Sequence, residues 1–328
     1  MLSRVADSIY WMSRYIERAE NLARLLEVNL QLLVDFSNLD DEKIKHHWQP
    51  ILRALCDEEA FAKLYDKADS LSVTDFVTFR RENPNSILTC VFAARENARM
   101  IRDQISAEMW ESMNELYLFL RSTNGKKIWR SGVNDFFREI RKHMHAFQGL
   151  THATYPREEG YDFLQIGRYL ERADKTTRII DLKYHILLPR PTDVGGPLDA
   201  AQWMAVLRSC SALEAYHRVY LETPTPWKVV EFLILSETFP RSLRFCLKEM
   251  NQYLHQISGT TSDQFANDAE RICGRMLYQL SHCTTDDIFN EGLHEYLDRT
   301  QISLNQIGAA LYHSYMYIPP PEQPATAA

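Results

Sequence analysis

Apolar residues recur every three or four positions over the first 33 residues of this chain. That spacing places them on one face of an α-helix, whereas a strand would show alternation by two. A stretch of this length predicts one amphipathic helix of about nine turns, whose apolar face must be covered by other helices. The residues of this face are Leu2, Val5, Ile9, Met12, Ile16, Ala19, Ala23, Leu26, Leu30 and Leu33.

A second stretch in the middle of the chain shows the same spacing. Pro156, Glu158 and Glu159 predict the first turn of this helix, where a proline and acidic side chains are favourable. Two long helices with one pattern favour a helical bundle. The residues of the second face are Phe163, Ile166, Leu170, Ala173, Thr177, Ile180, Tyr184 and Leu187.

The rest of the chain also predicts helices. Helical spacing continues after Pro84 and in residues 107–121, 133–148, 263–281 and 287–313. Alternation by two is not apparent, and 11 glycines and 13 prolines in 328 residues are few for a fold with many tight turns. Prolines and glycines predict one long loop at Leu188–Asp199. The predicted fold class is all-α, a helical bundle.

The segment RYIERAEN, at residues 14–21, returns as RYLERADK at residues 168–175. Further matches, at offsets of 155 and 156 residues, include tryptophan, proline and cysteine, which seldom coincide by chance. They pair Trp48, Leu52, Arg53, Tyr65, Phe76, Pro84, Ser86 and Cys90 with Trp203, Leu207, Arg208, Tyr220, Phe232, Pro240, Ser242 and Cys246. We interpret the matches as a tandem duplication, with helical repeats at 1–155 and 156–315 related by a pseudo-twofold axis. A Pro- and Ala-rich tail at 316–328 is predicted to be disordered.

Charge and composition argue against several classes of protein. A net charge of −7 and a pI of about 5.9 disfavour a general nucleic-acid-binding surface, which is usually basic. No apolar stretch approaches 18 residues and the N-terminus lacks the apolar core of a signal peptide, so we expect neither a membrane span nor secretion. Six cysteines without a CxxC pair predict free thiols in the cytoplasm. Patterns for nucleotide binding and common catalysis (GxGxxG, Walker A, GxSxG, HExxH) are missing, so no cofactor is expected.

Two Glu-x-x-His patterns raise the question of a metal site, because di-iron helical bundles present ligands in this way. The pairs are Glu214 with His217 and Glu291 with His294. The duplicated position of His217 is Ala62, so one histidine has no counterpart. These four residues are weak metal candidates, and we expect no bound metal.

The repeated charged segments form a polar strip beside each apolar face. Glutamate and arginine three or four residues apart can pair along one helix, and a partly buried carboxylate needs such a partner. One interpretation is therefore structural: the pairs fix how the two long helices pack. The residues are Arg14, Glu17, Arg18, Glu20, Asn21 and Arg24 in the first helix and Arg168, Glu171, Arg172, Asp174 and Arg178 in the second.

The alternative interpretation is a polar pocket between the halves, where Arg14, Glu17, Arg168 and Glu171 converge. Arginine suits a carboxylate, phosphate or peptide terminus, and paired glutamates suit acid–base work. A third charged segment, ARENAR, reads EMNQYL at the matching place in the second half, so a site built from all three segments would be asymmetric. Its candidate residues are Arg95, Glu96, Asn97 and Arg99.

Four segments of the chain together resemble a known family. They are YWMSRYIERAENLARLLEV, NPNSILTCVFAARENARMIRDQIS, GYDFLQIGRYLERADKTTRIID and FPRSLRFCL, in order over nearly the whole chain. The chain is similar to the bacterial alpha-E superfamily, helical proteins of unassigned activity. The resemblance implies an all-helical protein and marks the same residues of the three charged segments. One departure is Pro156, where a serine cap would be expected.

The resemblance also implies a setting. Alpha-E proteins typically occur beside a circularly permuted ATP-grasp ligase, a transglutaminase-like peptidase and sometimes a proteasome-like peptidase. We therefore expect a non-catalytic helical partner, or peptide-binding component, of an ATP-grasp amide-ligase or peptide-modification system, whose Arg/Glu strip holds a partner surface or a peptide carboxylate. The competing hypothesis is a helical-bundle enzyme acting on a peptide or amino-acyl substrate, with Glu17, Glu171 or Glu96 as general base, with or without a metal.

Overall fold

The computed structural model of this chain describes residues 1–35, 47–185, 195–261 and 263–317. Regular structure in these ranges is helical, without strands, which confirms the all-α prediction. The α-helices are α1 (Ser3–Asp35), α2 (Trp48–Ala54), α3 (Glu58–Ala62), α4 (Ser70–Phe79), α5 (Ile87–Met100), α6 (Ala107–Arg121), α7 (Gly125–Ser131), α8 (Val133–Thr154), α9 (Glu159–His185), α10 (Pro197–Ser209), α11 (Leu213–Val219), α12 (Pro226–Val230), α13 (Leu243–Ser258), α14 (Asp268–His282), α15 (Thr285–Glu291) and α16 (Leu293–Leu311). Two π-helical segments, Glu231–Leu235 and Tyr312–Met316, continue α12 and α16. Among these described helices, none combines the length and apolar character needed to cross a bilayer.

The two long helices, α1 and α9, pack against each other at the centre of the molecule. Helices α5 and α8 pack on α1, and α6 contacts both of them. Helices α13 and α16 pack on α9 in the same manner, with α14 in contact with both. One apolar core runs through the two groups, so the segments 1–155 and 156–315 share an interior.

Helices α1 and α9 run in the same direction, since the residues in contact advance in the same order along both helices. Ser13 Oγ donates to the carbonyl oxygen of Leu164 at 2.6 Å, and Arg18 meets Glu171 one to two turns further on. Gly167 permits this approach, because a Cβ there would lie 2.6 Å from the carbonyl oxygen of Tyr10. The close backbones bring polar side chains of adjacent turns face to face.

Some helix ends differ from those that the apolar spacing predicts, because single residues determine them. The helix at 107–121 has the expected bounds, but the one expected at 287–313 is divided by Gly292, whose φ of +100° is disfavoured for other residues. The helix expected from residue 263 begins at Asp268, because the side chain of Asn267 caps it by accepting from Glu270 N at 3.1 Å.

The start of α9 also differs from the prediction. Pro156 lies ahead of the first turn rather than within it. The first helical carbonyl is that of Glu158, which accepts from Tyr161 N at 2.8 Å. Glu159 does lie in the first turn, where its charge favours the helix N-terminus.

The predicted loop and tail lie partly outside the described residues. Residues 186–194 of the loop are outside them, and Pro197 already begins α10, where its missing N–H costs no hydrogen bond. Residues 318–328 of the tail are outside them as well. Met316 is buried against the core.

Candidate functional site

The charged segments of α1 and α9 lie opposite each other in the interior. Glu171, which is fully buried, accepts hydrogen bonds from Arg18 Nε at 2.6 Å and Arg18 Nη2 at 3.1 Å. Glu17 is also buried and accepts the matching bonds from Arg172, at 2.7 Å from Nε and 3.0 Å from Nη2. Each helix therefore supplies the carboxylate for the other helix's arginine, with the same two-point geometry.

Arg14 and Arg168 occupy corresponding turns but are bonded differently. Arg14 Nε donates directly to Glu171 Oε2 at 2.8 Å. Arg168 Nη2 donates to Gln148 Oε1 at 3.1 Å, and Gln148 Nε2 donates to Glu17 Oε2 at 3.2 Å. The first arginine makes an ion pair, whereas the second reaches its carboxylate through an amide of α8.

Arg241, in the turn before α13, was not among the predicted site residues. Its Nη1 donates to Glu17 Oε1 and to Asn21 Oδ1, both at 3.1 Å. Its Nη2 donates to Glu20 Oε2 at 2.9 Å. One guanidinium group thus joins two buried carboxylates of α1 to the second half of the chain.

The carboxylates of α9 receive their additional cation from within the helix. Lys175 Nζ lies 3.7 Å from Glu171 Oε1 and 3.2 Å from Asp174 Oδ2. Arg178 Nε donates to Asp174 at 3.0 Å, just as Arg24 bonds Glu20 four residues earlier in α1. The buried charge network, as we call it, comprises Arg14, Glu17, Arg18, Glu20, Asn21, Arg24, Gln148, Arg168, Glu171, Arg172, Asp174, Lys175, Arg178 and Arg241.

Cation and amide exchange places between the two ends of this network. Asn21 of RYIERAEN aligns with Lys175 of RYLERADK, and Asn85 of NPNS aligns with Arg241 of FPRS. Asn85 Oδ1 accepts from Arg18 Nη1 at 2.8 Å. The carboxylates of α1 have an asparagine of the helix, Asn21, and a cation of the loop, Arg241, beside them. Those of α9 have a cation of the helix, Lys175, and an asparagine of the loop, Asn85. This aligned exchange is the sequence signal that could have revealed Arg241.

Burial alone would raise the pKa values of the carboxyl groups in the network, because it removes water from the charged form. The neighbouring cations overcome this effect and hold the pKa values of Glu17, Glu20, Glu171 and Asp174 below their ordinary range. Carboxylates that stay ionised and bonded to arginine are weak proton acceptors. Their arrangement suits the joining of helices better than general base catalysis.

The free space beside the network is small. A cavity of about 20 Å³ lies between α1, α8 and α9, and its polar lining is Ser13, Glu17, Gln148, Thr151 and Arg168. Pockets for small-molecule ligands typically measure ~300–1,000 Å³. This cavity does not admit a peptide terminus, and the arginines around it bond to groups of the protein itself.

A family model matches residues 1–316 and is described as a predicted alpha-helical domain with a conserved ER motif. The chain belongs to the Alpha-E family. In its long helices the ER dipeptide occurs as Glu17–Arg18 and Glu171–Arg172. In this Alpha-E chain the two ER dipeptides bond each other: Glu171 accepts two hydrogen bonds from Arg18, and Glu17 accepts two from Arg172.

Two curated proteins to which this Alpha-E chain is similar are uncharacterized proteins of mycobacteria. One from Mycobacterium bovis is 23% identical over 344 residues, and one from Mycobacterium tuberculosis strain H37Rv is 22% identical over the same length. The alignments cover 98% of this chain but 38% of each relative, so the chain spans well under half their length. No solved structure matches the chain.

The third charged segment of the Alpha-E chain, on α5, is separate from the buried charge network. Arg95 Nε donates to Asn114 Oδ1 of α6 at 2.8 Å. Glu96 pairs with Arg95 at 2.9 Å and with Arg99 at 2.7 Å, and Asn97 is half-buried on the same helix. Within the described residues no hydrogen bond or ion pair links these four side chains to the network. The structure therefore does not bring the three predicted segments into one site.

The weak metal candidates are also dispersed. Glu214 and His217 are exposed on α11, and Glu291 pairs with an arginine of α16 at 2.7 Å. His294 Nδ1 lies 2.7 Å from Asp181 Oδ1. In the part of the chain that the structure describes, no three His, Cys, Asp or Glu side chains are grouped as metal ligands.

Proposed function

We propose that this Alpha-E chain is a non-catalytic helical partner, or peptide-binding component, of a cytoplasmic ATP-grasp amide-ligase or peptide-modification system. Its proposed partners are a circularly permuted ATP-grasp ligase and a transglutaminase-like peptidase, as the family resemblance implies. The reciprocal pairing of the ER dipeptides carries the non-catalytic part of the proposal. Two of the three glutamates that the enzyme hypothesis names as bases, Glu17 and Glu171, are bonded to arginines that hold α1 to α9. The third, Glu96, is paired with Arg95 and Arg99.

The length of the relatives supports action beside other protein domains. Their counterpart of this chain is 38% of a longer polypeptide. A domain that is joined to further polypeptide in its relatives is suited to act together with other protein domains. The six free cysteines, four of them buried, support a reducing compartment such as the cytoplasm.

The position of the network changes how such a partner would be recognised. The Arg/Glu strips face each other in the interior, where Arg14, Arg18 and Arg172 are engaged by the protein's own carboxylates. In the proposed role the network sets the relative position of the helices, and the partner or peptide contacts the outer surface that those helices present.

We also propose that the chain arose by tandem duplication, with a pseudo-twofold axis relating its halves. The order of helices from α5 to α8 after α1 resembles the order from α13 to α16 after α9. Gly132 and Gly292, each between two helices, have φ values of +109° and +100°. Cys56 and Ser211 share the uncommon positive φ, at 59° and 50°. Such repetition of backbone detail supports a common origin.

Native mass spectrometry tests the partnership. The chain is tagged at its own locus and purified gently from its own cells. We expect it to retain the ATP-grasp ligase in a stoichiometric complex. Recovery of the chain alone, with a metal or small-molecule adduct, would contradict the proposal and favour the helical-bundle enzyme.

A paired substitution, Glu17→Gln with Glu171→Gln, separates the two hypotheses further. If the glutamates hold the helices together, melting temperature falls and the complex is lost as folded protein is lost. If they are catalytic, stability and complex persist while turnover disappears. Glu139→Gln is the matched control, because that carboxylate pairs with Lys142 at the surface, and it should leave stability and complex unchanged.

A further inference from the structure

The small cavity between α1, α8 and α9 contains a buried hydrogen-bond donor without a partner. Arg168 lines the cavity, and its Nε is inaccessible to solvent and forms no hydrogen bond within the protein. Its Nη2, in contrast, donates to Gln148. A buried N–H that lacks an acceptor is unfavourable, so this side of the guanidinium group requires an acceptor.

The other polar residues of the cavity supply acceptors. Ser13 Oγ donates its proton to the carbonyl oxygen of Leu164 at 2.6 Å, and Thr151 Oγ1 donates its proton to that of Phe147 at 2.9 Å. Both hydroxyl oxygens keep lone pairs that can accept. The ionised carboxylate of Glu17 also lines the cavity, and its oxygens already accept hydrogen bonds from Arg172, Arg241 and Gln148.

One donor among several acceptors fits water better than an anion. An anion needs several donors and would be repelled by Glu17, whereas a water molecule accepts from Arg168 and donates to two acceptors. The volume of about 20 Å³ exceeds the roughly 10–15 Å³ that one water requires, and it excludes larger ligands.

The corresponding atom of α1, Arg14 Nε, has a partner in the protein, because it donates to Glu171 Oε2 at 2.8 Å. The Tyr10 hydroxyl accepts a hydrogen bond from Arg14 Nη1 at 3.0 Å. The residue that aligns with Tyr10 in the second segment is Leu164, whose side chain has no polar atom. We propose that one ordered water molecule occupies the cavity, accepts from Arg168 Nε and donates to the hydroxyl oxygens of Ser13 and Thr151. It would give Arg168 Nε an acceptor, as Glu171 does for Arg14 Nε.

A high-resolution crystal structure of the full chain tests the proposal directly. We expect one water oxygen at about 2.7–3.2 Å from Arg168 Nε. A cavity without water, or a direct bond from Arg168 Nε to a protein acceptor, would overturn the assignment.

Oxygen-17 relaxation dispersion, which counts long-lived buried waters in solution, gives a second test. Thr151→Val replaces an acceptor hydroxyl by a methyl group of similar size and should remove one long-lived water from the count. Thr300→Val is the matched control: Thr300 is 3% exposed, as Thr151 is, and bonds a carbonyl four residues earlier at 2.7 Å, but does not line this cavity. An unchanged count in Thr151→Val, or an equal loss in Thr300→Val, would overturn the proposal.

Discussion

Arg172 and Glu17 form a two-point ion pair in the interior although 155 residues separate them in sequence. Arg18 and Glu171 form the same pair in the reverse direction. Both glutamates are almost completely removed from water, so the charge of each is compensated by arginine rather than by solvent. The packing of α1 against α9 therefore depends on all four charges of the two ER dipeptides.

Neutralising Glu17 should destabilise the protein strongly. Glu17→Gln leaves Arg172 buried without its carboxylate and removes one of the two carboxylates that bond Arg241. Breaking a buried pair in this way typically costs about 3–5 kcal/mol. Urea denaturation followed by circular dichroism measures the free energy of unfolding. The surface variant Glu139→Gln should leave that free energy unchanged, and equal effects of the two variants would contradict a structural role for Glu17.

The exchange of cation and amide between the two ends of the network should be reproducible by mutation. Lys175→Asn removes the additional cation from Glu171 and Asp174 and should cost about 1–3 kcal/mol, because a charged group loses its partner. Adding Asn85→Arg supplies a cation from the loop, as Arg241 does at the other end, and should recover part of the loss. A double-mutant cycle measures the coupling, and strictly additive effects would show that the two positions do not compensate.

Acid should weaken the fold through the same carboxylates. The pKa values of Glu17, Glu20 and Glu171 in the folded protein are below the ordinary value of 4.5 that applies to the unfolded chain. The unfolded state therefore takes up protons first, and the contribution of these groups is complete above pH 4.5 and is lost as pH falls below it. Free energies of unfolding at intervals from pH 7 to pH 3 measure this loss. Glu17→Gln with Glu171→Gln should show a shallower decline, and a decline as steep as that of the wild type would assign it to other groups.

Cys56 should react with a thiol reagent before the other cysteines of the folded protein. It is exposed, and Arg178 Nη1 lies 3.4 Å from its Sγ, whereas Cys283 is only half-exposed. Burial raises the pKa values of the remaining four thiols to about 12, at Cys90, Cys210, Cys246 and Cys273. Reaction with Ellman's reagent should show one fast phase that Cys56→Ser removes, and peptide mass spectrometry identifies the labelled residue. A fast phase that persists in Cys56→Ser would contradict the prediction.

The helices were predictable where their signal is spread over many residues. The apolar spacing of α1 and α9 repeats over whole helices, so one ambiguous residue does not obscure it. Their ends were less predictable because single residues decide them. Gly292 divides a periodic segment through a positive φ, and Asn267 starts α14 through one side-chain hydrogen bond. Apolar spacing contains neither kind of information.

The sequence by itself determined the all-α class, the two long helices and the residues of their charged strips, because these follow from local spacing and residue type. The sequence left open whether the charged strips form a pocket or pair with each other to fix how the helices pack. The tertiary structure decided this, since the close approach at Gly167 leaves room for direct Arg–Glu pairs and a cavity of about 20 Å³. It also added Arg241 and left the α5 segment out of the network, because charge pairing depends on distances between side chains that lie far apart in sequence.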